Sequence, residues 1–264
     1  MGEGRGLLAS WLAHPLTRGL DLDDPKTTHL RRRIIRQKRF LRRIYEEWYD
    51  AVIDALPAGD AAVLELGSGG GFLSERLGGL ITSEVFSCPG VQCVIDAHDL
   101  PFADAALRGI AMVNVLHHLA RPRQFFAEAN RCVRPGGVLI MIEPWVTAWS
   151  RFVYTRQHHE PFDAETDAWE FATSGPLSGA NGALPWIIFH RDRAEFEVAF
   201  PEWRIEQIRP MMPLRYLLSG GVGMRSLMPG WSHGLWRGIE RLLSPWMGRI
   251  ALFALIVVRR VERG

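Results

Sequence analysis

The sequence predicts an α/β fold, a doubly wound and largely parallel sheet with helices on both faces. Three observations predict it. From residue 61 onward, short runs of β-formers alternate with helix-like segments, the rhythm of a parallel sheet wrapped by crossover helices. The first run, "AVLELG", closes in an acid and opens directly into a glycine cluster, "GSGGGFLSERL". The chain has 264 residues, enough for one large sheet domain with additions and short of two full domains.

The elements follow in order. Residues 28–56 place Leu30, Ile34, Ile35, Leu41, Ile44, Tyr45, Trp48 and Val52 at spacings of three and four, which predicts one amphipathic helix ended by Pro57. Its polar face is crowded with arginine. Such a face is either solvated or drawn to anionic lipid or an acidic partner. Residues 1–58 are therefore read as an N-terminal helical extension, and 59–264 as the α/β domain. Within that domain "AVLELG", "GLITSEVF", "VQCVIDA", "GIAMVNVLHH" and "VLIMIEP" read as strands. "GFLSERLG" and "RQFFAEANRCV" read as helices, and "RPGG" as a turn. The rhythm breaks over 145–190, which is rich in Trp, His, Phe, Gly and Pro and is expected to fold over the strand ends. "RDRAEFEVAFP" resumes as helix and "WRIEQIRPM" as strand. Residues 211–248 read as broken helices that help bind substrate, and "IALFALIVVRRVE" as a last strand.

Composition narrows the function. A net charge of +2 demands no nucleic-acid partner. The three cysteines have no metal-ligand spacing, and their odd number points to a reduced, cytoplasmic protein. The N-terminal residues lack a basic-then-apolar leader pattern. "IALFALIVV" is too short to span a bilayer as a helix. Ten tryptophans imply either an aromatic core or a large aromatic pocket or interfacial surface.

The glycine cluster excludes two familiar readings. A dinucleotide fingerprint needs G-x-G-x-x-G, but counting from Gly67 its last position holds Phe72, and from Gly69 it holds Ser74. A P-loop needs a Gly-Lys-Ser/Thr that is absent. What stands is Glu65-x-Gly67-x-Gly69-x-Gly71, with Ser68 inside it. This resembles motif I of the class I S-adenosylmethionine-dependent methyltransferases, small-molecule type, and three further stretches agree in order. "ITSE" ends a second strand in Glu84. "VIDAHDLPF" places Asp96 and Ala97 as in the family's D-A-x-x-L-P-F segment. "VNVLHHL" with "RCVRPGGVLIMIEP" matches the family's fourth strand, fourth helix and fifth strand. The resemblance covers residues 61–144, with an extension through Val258.

The resemblance implies a Rossmann-like seven-stranded sheet of order 3-2-1-4-5-7-6 with the last strand antiparallel, and S-adenosylmethionine as cofactor. It implies that Glu65 positions the methionine amino group, that Glu84 takes the ribose hydroxyls and that Asp96 faces the adenine amine. Asn114 would line the methyl-donor cleft. Glycines in such a loop let backbone approach ligand closely, and the N-terminus of a following helix would offer free N–H groups to the methionine carboxylate. Many relatives carry a helix between the acids equivalent to Glu84 and Asp96. Here only "VFSCPGVQCVI" intervenes, which predicts a short loop.

A hydroxyl acceptor needs a base. Candidates are His117 and His118 at the end of the fourth strand, and His158 and His159, with Glu160, in the insertion. Glu143 is a further cleft candidate. No metal centre is expected, because spacing places no third ligand group beside these histidines. Aromatic stretches such as "WVTAWSRFVY", "LPWIIF" and "PMMPLRYLL" suit an apolar, lipid-like or aromatic small-molecule acceptor, methylated on oxygen rather than carbon. With the arginine-rich helix, "GLWRGIERLLSPW" suits peripheral contact with the inner face of a membrane. The competing readings are a non-catalytic protein of the same fold that binds the cofactor or a partner, an RNA methyltransferase, and a nicotinamide oxidoreductase. The near-neutral charge and missing "N-P-P-Y"-type motif disfavour RNA, and the glycine spacing disfavours nicotinamide.

Overall fold

The computed structural model describes residues 25–157, 160–173, 175 and 179–262; His158 and His159 lie outside the described residues. In chain order the main elements are α1 (Pro25–Gln37), α2 (Arg39–Ala55), β1 (Ala62–Leu66), β2 (Leu80–Glu84), β3 (Cys93–Val94), β4 (Leu107–Val113), α3 (Pro122–Cys132), β5 (Val133–Pro144) and α4 (Ala148–Gln157). There follow α5 (Arg193–Ala199), β6 (Trp203–Met211), α6 (Arg215–Ser219), α7 (His233–Leu242) and β7 (Phe253–Arg260).

The strands form one seven-stranded sheet in the order β3-β2-β1-β4-β5-β7-β6. β1 to β5 pair in parallel, and β7 runs antiparallel to both β5 and β6. This is the order and the antiparallel last strand implied by the sequence. The central strands are buried on both faces, as parallel sheets covered by helices must be. Their side chains alternate between two cores. Leu64, Ile110, Met112, Leu139 and Met141 join α3 and Phe196 on one side. Val63, Ala111, Ile140 and Ile142 join α2 through Ile44, Trp48 and Val52 on the other.

Five elements depart from the sequence reading. The single N-terminal helix is two, broken at Lys38, whose backbone leaves the helical region. Its ammonium donates to the carbonyls of Gly221 (2.5 Å) and Met224 (2.8 Å), a tertiary tie no local pattern announces. The segment after the glycine cluster is not a helix but one 3-10 turn, Leu73–Glu75, so no full helix follows the loop. β3 shrinks to two residues, preceded by the expected short loop in which Gln92 bonds back to Thr82. β4 stops at Val113 rather than running to His118; Asn114 takes φ 58° and a 3-10 turn holds Leu116–His118. The "RPGG" segment lies inside β5 as an irregularity, Leu107 pairing with Val133 and Gly109 with Val138. The tryptophans divide: Trp48, Trp145, Trp169 and Trp203 are core, while Trp231 and Trp246 are exposed. No described helix is long and apolar enough to cross a membrane.

Candidate active site

β1 delivers Glu65 to the carboxyl edge of the sheet, where ligands of open α/β sheets bind. The chain then turns at Gly67 (φ +65°) and Gly69 (φ +24°), conformations that disfavour a side chain. A Cβ on Gly67 would sit 2.4 Å from Val115, and one on Gly69 2.6 Å from the Glu84 carboxylate. The first clash keeps the loop against the β4 turn. The second keeps it against the end of β2. Ser68 fastens the turn: its amide bonds Ser83 O (2.9 Å), its hydroxyl donates to Glu65 O (3.2 Å) and accepts from Ser83 N (3.1 Å). Gly71 N closes back on Ser68 O at 2.7 Å.

All nine residues expected to hold the cofactor line a single cavity of about 490 Å³, within the usual size of a small-molecule pocket. Glu65 and Glu84 are buried. Burial lifts Glu65 to about 7, against a pull downward from the Ser68 hydroxyl. Burial also raises Glu84, although the Val85 and Gly69 amides offset part of it. A buried acid of that kind suits a cationic partner. Asp96 is more open; slight burial would raise it, but the His98 amide (2.9 Å) and ring (2.7 Å) hold the carboxylate below its ordinary value. Ala97 is buried beside it, and Asn114 occupies the left-handed region that asparagine tolerates.

The sequence reading missed the N-terminal contribution. Thr28, Arg31 and Ile35 of α1 and Tyr49 of α2 line the same cavity. Arg32 reaches Gly71 O (3.3 Å) and, across the short loop, Pro89 O and Gly90 O. The Tyr49 hydroxyl accepts from Phe72 N at 3.1 Å. A Cβ on Gly70 would meet Arg31 Cβ and Arg32 N at 3.1 Å, so the middle one of the three consecutive glycines makes room for a helix rather than for a ligand.

The far end of the cavity is built around Glu143, which is fully buried. One carboxylate oxygen accepts the Val115 and Leu116 amides, both at 2.8 Å, and the other meets His117 Nδ1 at 2.6 Å. Glu143 therefore holds this turn and His117 from below and does not itself line the cavity. Burial alone would lower His117, but the Glu143 carboxylate, and Glu160 beyond it, raise it to about 9. His118 behaves oppositely: burial, then the neighbouring His117, push it down to about 3. Its Nδ1 lies 3.2 Å from Gly179 O. Glu160 comes from the insertion, 3.6 Å from His117 Nε2 and 4.0 Å from His118 Nε2. Sequence spacing gave no hint of this meeting, because Glu160 and the histidine pair belong to different segments. Beside them Tyr154 stacks on Phe162 (4.7 Å, 24°), and Tyr216 meets Phe253 edge-on. All four rings line the cavity.

The strand order and the acid-closed glycine loop define the class: a Rossmann-like α/β protein with its ligand cleft at the carboxyl ends of β1, β2 and β4. Residues 64–141 match the family model described as "Methyltransferase domain". A 57-residue stretch is 44% identical to an uncharacterized 37.1 kDa protein in transposon TN4556 of Streptomyces fradiae; it spans 21% of this chain and only 16% of that protein. Among solved structures, the [4+2]-cyclase SpnF is similar at 15% identity and TM-score 0.46, over 82% of this chain and 81% of that one. Geranyl diphosphate C-methyltransferase from Streptomyces coelicolor A3(2), crystallised with Mg2+, geranyl-S-thiolodiphosphate and S-adenosyl-L-homocysteine, is similar at 15% and 0.47, over 84% and 78%. The YcgJ protein from Bacillus subtilis is similar at 13% and 0.47, over 83% and 100%. Likeness at this level says nothing of substrate. S-adenosylmethionine is the cofactor of the class, and this chain's residues fit it: a glycine loop without side chains, a buried acid suited to a cation, and a second acid at the end of β2.

Proposed function

We propose that the protein transfers the methyl group of S-adenosylmethionine to an oxygen of a small apolar acceptor, aromatic or lipid-like. One observation carries this reading: a single cavity runs from the glycine loop and its two buried acids to a pocket of aromatic rings beside His118 and Glu160. The bound sulfonium supplies an already activated methyl group, so the protein's task is alignment and exclusion of water. Glu65 is assigned to the amino group of the methionine end and Glu84 to the ribose hydroxyls. Tyr154, Phe162, Tyr216 and Phe253 are assigned to the acceptor's apolar body. His118 and Glu160 are the groups that meet the acceptor oxygen. His117, clamped by Glu143, orients them.

The test is to incubate the full chain with S-adenosylmethionine and a panel of apolar phenols and carboxylic acids, measuring S-adenosylhomocysteine and methylated product. At least one acceptor is expected to raise S-adenosylhomocysteine above the acceptor-free rate. In parallel, Gly69→Val forces a side chain onto Glu84 in a strained backbone and is expected to weaken cofactor binding more than tenfold with the fold intact by circular dichroism. Absence of cofactor binding in the wild-type protein, or unchanged binding in the variant, overturns the assignment.

A further inference from the structure

His117, His118 and Glu160 each offer one ligand atom, and those atoms all lie within 4.8 Å of one another. The sequence had argued against a metal centre because no third ligand was placed by spacing; the fold supplies it from the insertion. The distances that fix the cluster are 3.6 Å from His117 Nε2 and 4.0 Å from His118 Nε2 to the two Glu160 oxygens. Two ligands each about 2.1 Å from a tetrahedral ion lie about 3.4 Å apart, so small side-chain rotations close the set.

The groups that would orient these ligands are already in place. The Glu143 carboxylate takes the Nδ1 side of His117 at 2.6 Å, the carboxylate–histidine arrangement that turns Nε2 toward a metal and fixes its tautomer. Gly179 O accepts from the Nδ1 side of His118 at 3.2 Å, which leaves the His118 Nε2 lone pair facing a Glu160 oxygen. His117 Nε2 also faces a Glu160 oxygen and hydrogen-bonds it, and a cation would take the place of that proton. The two imidazoles stand 4.2 Å apart, centroid to centroid. All three residues line the cavity that holds the glycine loop.

We propose that His117, His118 and Glu160 bind a divalent transition-metal ion, with Glu143 as the positioning residue behind His117. Two imidazoles and a carboxylate suit Zn2+, Fe2+, Co2+ or Mn2+, and three protein ligands leave a coordination position open to the cavity, as in catalytic rather than structural sites. The role assigned to the ion rests on the methyl-transfer reading above. A phenolic or enolic oxygen would occupy the open position and shed its proton to solvent, since a divalent ion stabilises the anion. That oxygen's lone pair then forms the O–CH3 bond, while the pair of the breaking C–S bond stays on sulfur and leaves a neutral thioether. The acceptor class is thereby narrowed to small apolar molecules that carry an ionisable O–H.

The experiment uses the full chain, freed of metal with chelator and titrated with Co2+ while visible absorption is followed. A single saturable site with d–d bands is expected, displaced by Zn2+. Glu160→Gln keeps shape and removes the charge, His118→Ala removes a ligand, and each is expected to weaken Co2+ at least tenfold. Glu143→Gln is expected to weaken it about 10- to 100-fold, the range for such outer partners. Circular dichroism and thermal melting of the variants establish that they fold. No saturable site in the wild type, or unchanged affinity in both folded ligand variants, overturns the site. The two proposals fail separately. Co2+ binding at these residues in a protein that neither binds S-adenosylmethionine nor forms product keeps the metal and removes the methyl transfer. Undiminished product formation by chelator-treated protein that takes up no Co2+ does the reverse.

Discussion

Glu65 shows what a single buried acid does to the molecule around it. Its carboxyl is lifted to about 7 from an ordinary 4.5, so the folded protein holds its proton more tightly than the unfolded chain. The sign follows from linkage: the group's stabilising contribution is complete below about 4.5 and is lost as pH rises through about 7. The rise from 4.5 to about 7 corresponds to roughly 3 kcal/mol. A cationic amino group beside the carboxylate reverses the penalty. Cofactor affinity is therefore expected to rise as pH rises toward about 7, and thermal stability without cofactor to fall between about pH 4.5 and 7. Glu65→Gln should flatten both profiles. Calorimetric titration and melting curves across that range check it, and a wild-type affinity independent of pH contradicts the role given to Glu65. The position of this acid was legible because it follows a run of β-formers and precedes glycines. Its charge behaviour was not, since Tyr49 and Arg32, which interact electrostatically with it, come from another part of the chain.

At the scale of elements, α6, α7 and α2 are tied by one buried cation. Arg215 donates to Glu240 (2.5 Å) and Glu47 (2.8 Å) and lies 3.1 Å from His233. Glu240 also accepts the Leu214 and Arg215 amides at 3.0 and 2.8 Å, capping the start of α6. Removing one partner of a buried ion pair leaves an uncompensated charge and costs about 3–5 kcal/mol. Glu240→Ala should therefore lower stability by that amount in denaturant titrations, whereas Arg42→Ala, which removes an exposed i,i+4 pair with Glu46, should cost under about 1 kcal/mol. Equal effects would contradict the lock. The strands were legible from their composition. The helix boundaries were less so: the break at Lys38 and the missing helix after the glycine loop are set by contacts with Gly221 and with α1, and no local periodicity encodes them.

For the whole molecule, the motif-bearing half was readable because each motif is contiguous, while the acceptor end is assembled from β4, the insertion and the C-terminal segments. One surface feature does carry over from sequence to structure. Leu235 and Leu242, two turns apart on one face of α7, are exposed, and Trp231 and Trp246 flank the helix, also exposed. Arg241 and Arg249 lie exposed alongside. The inner face of α7 is occupied by Trp236, packed on the core below, so the outer leucines are surplus to folding. Amphipathic helices that lie in a lipid interface carry an apolar face flanked by tryptophan and arginine, and each arginine near an anionic surface adds about 1 kcal/mol. We propose that this face rests on anionic membrane, where an apolar acceptor would also concentrate. Sedimentation with vesicles rich in phosphatidylserine should carry the protein down, and vesicles of phosphatidylcholine alone should carry much less. Leu242→Asp with Trp246→Ser should abolish co-sedimentation without changing cofactor affinity, because neither residue lines the cavity. Equal recovery with both vesicle types, or with and without the double substitution, would leave α7 an ordinary surface helix and place the acceptor's route to the cavity in solution.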